Sequence, residues 1–441
     1  MKLNKFIFKH FAPIPSKQWK QKIQYELKGA NYQSELVYTN SDGISTLPFY
    51  TQSDNESIVK EENNVQSQKA IVINVGNDVV LNNVEALTAI NAGIDIIYFS
   101  IYDKSIDTKI LLDNISIPIV VNCHFLNTSF LENLKSSYKG KSLKIITDPI
   151  SKLLTTGNWY RNAVWDFEQL QKIINYNDSN LSVNVSLFNN AGATQVQQLA
   201  YAINQVLSYN KHLSLTNCKT ITYHTSVSTN VFIEIAKLKT LRILHNSLNE
   251  YLNTQFNCEI IVVKNKRNIN VIDSYLNNAF TETEQLIAYA GYANIVCLNF
   301  NEVTFFKEDL SKVESSLNNF ITNDYDNKSF DSVIYIEKLI QQLLTKTTLL
   351  INTVEEGGGF IVQYKKGIIT KKIEQKALEE QKAFNSTFKQ INTASVLKNK
   401  IPLNYPFFKF ENKQTQYKPI IEKRLTAPFE KTIWDSTFKH D

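Results

Sequence analysis

The stretch LSVNVSLFNNAGATQVQQLAYA, residues 181–202, contains one complete strand-loop-helix unit. An apolar run at 181–187 predicts a strand, the small residues at 191–193 predict a hinge, and an amphipathic helix pattern follows. The helix presents one apolar face, formed by Val196, Leu199, Ala200 and Ile203. Loops of this kind commonly carry functional side chains. This one holds no acid, base or nucleophile, because it consists of Leu187, Phe188, Asn189, Asn190, Ala191, Gly192 and Ala193.

The same unit recurs along the chain. Eight short runs alternate with helix-like segments: AIVINV (70–75), IDIIYFSI (94–101), IPIVVNC (117–123), LKIITD (143–148), LSVNVSL (181–187), ITYHTS (221–226), EIIVVK (259–264) and NIVCLNF (294–300). Continuous apolar runs are typical of parallel strands that are buried on both faces. Eight such units over about 250 residues predict an α/β fold, a closed (β/α)8 TIM barrel. An open doubly wound sheet is the less favoured alternative, because no Gly-x-Gly-x-x-Gly turn follows any strand.

Composition excludes several classes of protein. Of the 441 residues, 43% are hydrophobic and 20% are charged, which indicates a soluble globular protein. A net charge of +5 is too small to indicate a nucleic-acid partner. No uncharged apolar run approaches the roughly 20 residues of a membrane span, and Lys9 interrupts the apolar N-terminus, which argues against a secretory signal. The four cysteines are far apart and indicate no metal site. We expect a cytoplasmic protein.

The chain divides into three parts. Residues 1–65 show little periodicity and predict an extended N-terminal arm, whose aromatic side chains need a surface to cover them. We expect this arm to wrap a partner chain through Trp19, Tyr25 and Tyr32. Residues 66–370 predict the barrel. Residues 371–441 predict a C-terminal helix followed by an extended, linker-like tail.

Four segments, in this order, resemble the methylmalonyl-CoA mutase family, and in particular its small (beta) subunit. They are SKQWKQKIQYELKGANYQSELVYTNSDGISTLPFYT (16–51), FNNAGATQVQQLAYAI (188–203), SVSTNVFIEIAKLKTLRIL (226–244) and RLTAPFE (424–430). The resemblance implies a barrel that takes part in the radical isomerisation of methylmalonyl-CoA and succinyl-CoA. In that family the hard chemistry belongs to adenosylcobalamin, while the protein binds and orients the reacting groups.

The resemblance also implies what this chain lacks. Family members hold cobalamin on a C-terminal domain through the histidine of an Asp-x-His-x-x-Gly motif, and none of the six histidines here stands in that motif. The chain ends just after RLTAPFE, so we expect no cobalamin-binding domain and no cofactor bound by this chain. Catalytic relatives carry a carbonyl-binding histidine four residues before the Ala-Gly-Ala turn, and Leu187 stands there instead. These differences imply a non-catalytic small subunit that stabilises a large catalytic subunit, which carries adenosylcobalamin, in a heterodimer.

Two other functions remain open. The chain could be the acyl-CoA substrate barrel of a mutase whose cobalamin domain is a separate chain. It could also be a CoA-binding module without chemistry, using the basic residues Lys264, Lys266 and Arg267. For those three residues the favoured interpretation is a charged loop that faces solvent or an acidic partner.

Four other features favour structural roles. Asp148, before Pro149, is typical of a helix cap, and His224 lies within a strand, where a hydrogen-bonded core role is more common than a ligand role. Glu302 follows the eighth strand and is expected to be a solvated loop carboxylate. The Gly357-Gly358-Gly359 run predicts a helix stop.

Overall fold

Eight parallel strands form the centre of the molecule. The computed structural model describes residues 14–51, 65–140, 142–176, 180–270, 274–299, 330–331, 333–391 and 414–431. The strands are β1 (Gln68–Val75), β2 (Ile96–Ile101), β3 (Ile119–Cys123), β4 (Leu143–Ile146), β5 (Asn180–Asn184), β6 (Thr220–Ser226), β7 (Asn257–Val263) and β8 (Ile295–Asn299). They pair in the order β4-β3-β2-β1-β8-β7-β6-β5. β1 pairs in parallel with β8, so the first and last strands of the sequence are neighbours, as in a barrel.

Side chains, rather than a backbone ladder, join β4 to β5 in the described part of the chain. The Ser182 hydroxyl donates to the Thr147 carbonyl over 2.9 Å, and the Asn184 amide donates to Asp148 Oδ2 over 2.8 Å. The sheet is therefore a nearly closed barrel. The predicted (β/α)8 fold is confirmed.

Helices alternate with the strands and cover the outside of the sheet. They are α1 (Ser16–Glu26), α2 (Tyr32–Leu36), α3 (Val79–Asn91), α4 (Thr108–Leu111), α5 (Thr128–Ser137), α6 (Pro149–Thr156), α7 (Ala163–Tyr176), α8 (Ser186–Asn190), α9 (Gln195–His212), α10 (Val231–Leu252), α11 (Ser274–Ala290), α12 (Ile334–Glu356), α13 (Phe360–Lys365) and α14 (Ile368–Ile391). The triple glycine lies between α12 and α13, where Gly358 and Gly359 both adopt positive φ. The predicted helix stop is therefore confirmed.

Two apolar layers result from the alternation of side chains along the strands. The larger layer lies between the sheet and the helices, and includes Ile71, Phe99, Val121 and Leu199. A smaller cluster fills the inside of the barrel: Ala70, Val72, Ile96, Tyr98, Val120, Ile146, Ile261, Ile295 and Cys297. Near the amino-terminal ends of the strands, Lys144 forms an ion pair with Glu259 inside the barrel.

The N-terminal arm is less extended than the sequence predicts, since residues 14–51 contain α1, α2 and a two-strand hairpin (Tyr38–Thr39 with Ser45–Thr46). The Gln342 side chain holds this hairpin against α12 through two hydrogen bonds of 2.8 and 2.9 Å to the Ser45 backbone. At the other end of the chain, residues 414–431 run across the carboxyl-terminal face of the barrel. Their backbone bonds to the carbonyl oxygens of Gly157, Leu154, Asn190 and Arg267. No helix in the described part of the chain is long and apolar enough to span a membrane.

Candidate functional site

A cavity of about 630 Å³ opens at the carboxyl-terminal ends of the strands. This is the face at which TIM barrels place their active sites. Polar side chains from several of the strands line it, including Asn74 of β1, Ser100 of β2, Asn122 of β3 and Ser182 of β5. Lys266 and Glu422 also line the cavity. Its volume and polarity suit a small, hydrogen-bonding ligand.

Two imidazole-hydroxyl pairs line this cavity. The Tyr98 hydroxyl and His224 Nε2 are 2.9 Å apart, and Ser100 Oγ and His124 Nε2 are also 2.9 Å apart. The Tyr102 ring stacks on His124 with 3.9 Å between the ring centroids. Burial, and secondarily His124 and Lys266, lower the pKa of His224 to about 3, so its imidazole is neutral near pH 7. His224 has the hydrogen-bond partner that the sequence predicts, but its ring also lines the cavity.

The segment after β5 is a short helix rather than the predicted loop. β5 ends at Asn184, three residues before the predicted end of the strand, and α8 follows at once. Leu187 lines the cavity and is only 2% exposed. Phe188 points into the apolar core, where its ring packs against Tyr201 at 5.4 Å and against Phe360 at 6.0 Å between centroids. This segment is therefore buried along its whole length.

The two asparagines of α8 hold neighbouring elements together. Asn189 Nδ2 donates to the Ser226 carbonyl over 2.9 Å. Asn190 Nδ2 donates to Glu422 over 2.8 Å, and its side-chain oxygen accepts from the Lys266 amide over 3.0 Å. Both side chains therefore tie α8 to adjacent segments.

Gly192 lies where no other residue fits. Its φ of +89° is in the region that favours glycine. A Cβ at this position would come within 2.6 Å of Ala377 Cβ and within 2.7 Å of Arg267 Nη2. The flanking Ala191 and Ala193 are buried as well. The small-residue turn thus allows β5, α8 and α14 to approach closely.

The basic residues Lys264, Lys266 and Arg267 do not form one solvent-facing cluster, so that interpretation is wrong for two of them. The Lys264 side chain is 9% exposed and lines the cavity, with its ammonium group 2.7 Å from Thr281 Oγ1 and 3.3 Å from Glu284. The buried Arg267 guanidinium pairs with Glu380 at 2.6 Å and donates to the Lys423 carbonyl over 3.0 Å. Only Lys266 is half exposed, with its ammonium group 3.7 Å from Glu422.

Asp148 caps α6 as predicted, since its Oδ1 accepts from the Ser151 amide over 2.8 Å. The same carboxylate accepts hydrogen bonds from the Gln205 side chain and the Tyr209 hydroxyl, in addition to the Asn184 amide. Burial raises the pKa of Asp148 above its ordinary value, and the four hydrogen bonds limit that rise. Asp148 is therefore the polar centre of the junction between β4 and β5.

The three aromatic residues of the arm differ in accessibility. Tyr25 is 85% exposed and Trp19 is 44% exposed, with the Trp19 ring 6.4 Å from Phe49 between centroids. Tyr32 is 9% exposed, and the Lys20 ammonium group lies 4.9 Å above its ring. Tyr32 is therefore covered by this chain itself, unlike the partner-facing residue that the sequence predicts.

Comparison with known protein families assigns this chain to a family. The model of the methylmalonyl-CoA mutase family matches residues 91–420, which is most of the chain. The chain belongs to the methylmalonyl-CoA mutase family. It is 25% identical over 406 residues to the methylmalonyl-CoA mutase small subunit of Porphyromonas gingivalis. That match covers 80% of this chain and 65% of the relative, so the chain spans about two thirds of the length of that protein.

Among solved structures, the crystal structure of Yersinia pestis dihydropteroate synthase is similar to this mutase-family chain. The TM-score is 0.30 at 9% sequence identity, over 58% of this chain and 94% of the other. This likeness is too weak to add to the family assignment.

The described histidines of this mutase-family chain all contact other groups of the chain, His124 through Ser100 Oγ. His245 is buried, with Nδ1 3.1 Å from the Tyr223 hydroxyl and Nε2 2.8 Å from the Phe256 carbonyl. His224 is bonded inside the barrel, and His212 stacks on Phe167 at 4.6 Å. His10, Glu302 and His440 lie outside the described residues. No three His, Cys, Asp or Glu side chains within those residues come together as a metal site requires.

The sequence analysis did not identify Tyr98, Ser100 and His124 as residues of the cavity, although the strand pattern contains a signal for the first two. Within the run IDIIYFSI, Tyr98 and Ser100 are two residues apart and therefore face the same side of the strand. The register pairs Ser100 with Asn74 on β1 and with Asn122 on β3. Polar residues at matching positions of adjacent strands therefore indicated a polar cavity at this face.

Proposed function

We propose that this chain is the non-catalytic small subunit of a heteromeric, adenosylcobalamin-dependent methylmalonyl-CoA mutase. Its role is to stabilise a large catalytic subunit by contact. Membership of the family and the similarity to a protein named as a small subunit support this proposal.

The observation that carries the proposal is Leu187. The family resemblance equates this position with a histidine that hydrogen-bonds the substrate carbonyl, and here a buried leucine side chain lines the cavity. A leucine cannot stabilise the charge that develops on a thioester oxygen. α8 is also fixed by Asn189 and Asn190, so the chain preserves the shape of the site without that donor.

Cobalamin is proposed to lie on the partner, because none of the six histidines stands in the Asp-x-His-x-x-Gly motif that holds cobalamin in the family. When bound there, the cofactor supplies the radical that starts the isomerisation. The exposed Trp19 and Tyr25 are proposed to contact that partner, because interfaces favour large aromatic anchors.

Mutase activity measured on separated subunits tests the proposal. The purified chain, given methylmalonyl-CoA and adenosylcobalamin, should show no turnover, and adding the large subunit should give full activity. The Leu187→His variant should leave the activity of the complex unchanged, since the reaction occurs on the other chain. Turnover by this chain without a large subunit would contradict the proposal.

One observation favours a second candidate, a substrate barrel that is served by a separate cobalamin chain. The cavity retains two imidazoles, His124 and His224, that could bond a thioester oxygen. In that case this chain plus an isolated cobalamin-binding domain would turn over methylmalonyl-CoA, and the His224→Asn variant would not.

The third possibility is a CoA-binding module that uses three basic residues. Two of them, Lys264 and Arg267, form ion pairs within the chain. Lys266 alone remains half exposed at the cavity. Titration calorimetry of the purified chain with CoA measures CoA binding directly. A CoA affinity that decreases in the Lys266→Ala variant would support a CoA site. The absence of any heat of binding would exclude such a site.

A further inference from the structure

The Ser100-His124 pair has the geometry of a nucleophile and its general base. Ser100 Oγ lies 2.9 Å from His124 Nε2, within the range in which an imidazole removes a hydroxyl proton. Both residues line the cavity, so a ligand there can reach them. The Tyr102 ring stacks on His124 with planes 2° apart and fixes the orientation of the imidazole.

Amide side chains stand on both sides of Ser100. The strand register pairs Ser100 with Asn74 on β1 and with Asn122 on β3, and all three residues line the cavity. Paired strands are about 4.8 Å apart, so Asn74 and Asn122 are the neighbours of Ser100 in the sheet, and the Asn122 side chain also hydrogen-bonds Tyr98. Asparagine N–H groups in this position can stabilise the negative oxygen of a tetrahedral intermediate.

From this geometry we infer that the cavity hydrolyses small acyl esters through Ser100 and His124, an activity separate from the mutase reaction. The Ser100 oxygen bonds to the acyl carbon while its proton moves to His124 Nε2. The bond to the leaving alcohol or thiol breaks, and the leaving group takes that proton. Water then attacks the acyl-serine and gives its proton to His124, and the acid leaves as Ser100 regains a proton. No oxidant, metal or cofactor is needed.

The cavity also limits the substrate. Its volume of about 630 Å³ admits a short acyl group with a modest leaving group. Leu187 and Val263 form apolar parts of its wall, while Lys152, Lys264 and Lys266 line it together with the carboxyl groups of Asp148 and Glu422. Short-chain acyl esters with a polar leaving group fit this lining best.

The test is hydrolysis of p-nitrophenyl acetate by the purified full-length chain, together with labelling by a fluorophosphonate that reacts with activated serines. We expect release of nitrophenol above the buffer rate, with labelling mapped to Ser100 by mass spectrometry. Ser100→Ala and His124→Asn should each lower the enzyme-dependent rate at least about 100-fold, the usual effect of removing such a group.

Matched controls separate this activity from a general effect of substitution. Ser136→Ala, at an exposed serine on α5, and His212→Asn, on α9, should keep the rate within about twofold. If Ser100→Ala fails to fold, as judged by circular dichroism, the labelling site in the unsubstituted chain still shows whether Ser100 is the reactive serine. Hydrolysis at the buffer rate, labelling at another residue, or full activity in either variant would overturn the inference and leave the Ser100-His124 bond a structural one.

Discussion

The guanidinium of Arg267 lies directly against Gly192, in the place that a side chain at that residue would occupy. Arg267 is held there by Glu380 on α14 and by the Lys423 carbonyl of the C-terminal segment. Arg267, after β7, and the small-residue turn after α8 are therefore parts of one assembly. This assembly fixes α8, and with it Leu187, at the wall of the cavity.

A Gly192→Ala substitution should destabilise the chain for two reasons. The positive φ costs a non-glycine residue about 1–2 kcal/mol, and the clash with Ala377 adds an overpacking cost of about 1–3 kcal/mol. Urea unfolding followed by circular dichroism measures the sum. Gly29→Ala is the matched control, because Gly29 has a similar φ of +96° but nothing within 4 Å of an added Cβ. Equal losses at the two positions would show that the close approach of Ala377 and Arg267 to Gly192 adds no cost.

Arg267→Ala should lower the free energy of unfolding by about 2 kcal/mol, because hydrogen bonds to charged groups are lost and Glu380 is left without this partner. Lys266→Ala should change it by less than about 0.5 kcal/mol, as is usual for surface residues. Unfolding curves of the two variants, measured side by side, check the contrast. A larger effect at Lys266 would contradict the structural role assigned to Arg267.

Asp148→Asn should destabilise the chain by about 1–3 kcal/mol, since the amide NH2 group would face hydrogen-bond donors from which both Asp148 oxygens accept. The effect should depend on pH. Because burial raises the pKa of Asp148 in the folded chain, that chain binds the proton more tightly than the unfolded chain does. The stability that Asp148 contributes is thus greatest in acid and decreases as pH rises through its folded pKa. The difference in the free energy of unfolding between the two proteins should be largest below pH 3.8, the ordinary pKa of the carboxyl group, and smaller at pH 7. A difference independent of pH would contradict this account.

His224 should make stability depend on pH in the opposite direction. Its pKa is lowered to about 3 in the folded chain, against an ordinary value of 6.5, so the unfolded chain binds the proton first. Its contribution is complete above pH 6.5 and decreases toward pH 3, with about 2 kcal/mol lost by pH 5. His224→Asn should remove this part of the acid sensitivity. Unfolding measured at pH 5 and pH 8 checks the prediction, and an unchanged pH dependence would refute it.

Much of the fold could be predicted, because strand burial is encoded locally. The runs AIVINV and IPIVVNC form β1 and β3 nearly as predicted, since continuous apolar residues fit only a sheet covered on both faces. The end of β5 was less predictable, because Val185, Ser186 and Leu187 continue the apolar pattern although the backbone has already turned into α8. Periodicity does not separate a short buried helix from the end of a strand.

The candidate site was harder to predict, because its parts meet only in three dimensions. The pairing of Arg267 with Glu380 spans 113 positions of sequence, and that of Asn190 with Glu422 spans 232. Charge alone therefore suggested a solvent-facing cluster. The Ser100-His124 pair depends on the strand register, which the sequence does not state directly.

The exposed aromatic residues of α1 should govern association with the proposed large subunit. Trp19→Ala should weaken binding at least about 30-fold, which corresponds to the loss of about 2 kcal/mol expected at an interface anchor. Tyr251→Ala is the control, because Tyr251 is also aromatic and 79% exposed but lies on another helix, at the C-terminal end of α10. Surface plasmon resonance with the immobilised large subunit measures both. If the two variants bind equally well, α1 is not at the interface.

The central claim, that this chain stabilises a catalytic partner, is tested most directly by the thermal inactivation of that partner. The large subunit is heated with and without a stoichiometric amount of this chain, and its remaining mutase activity is measured at each temperature. Because a partner that binds only the folded state shifts the unfolding equilibrium, the midpoint should rise by several degrees with this chain and stay unchanged with an equal amount of albumin. An identical inactivation curve with and without this chain would contradict the account.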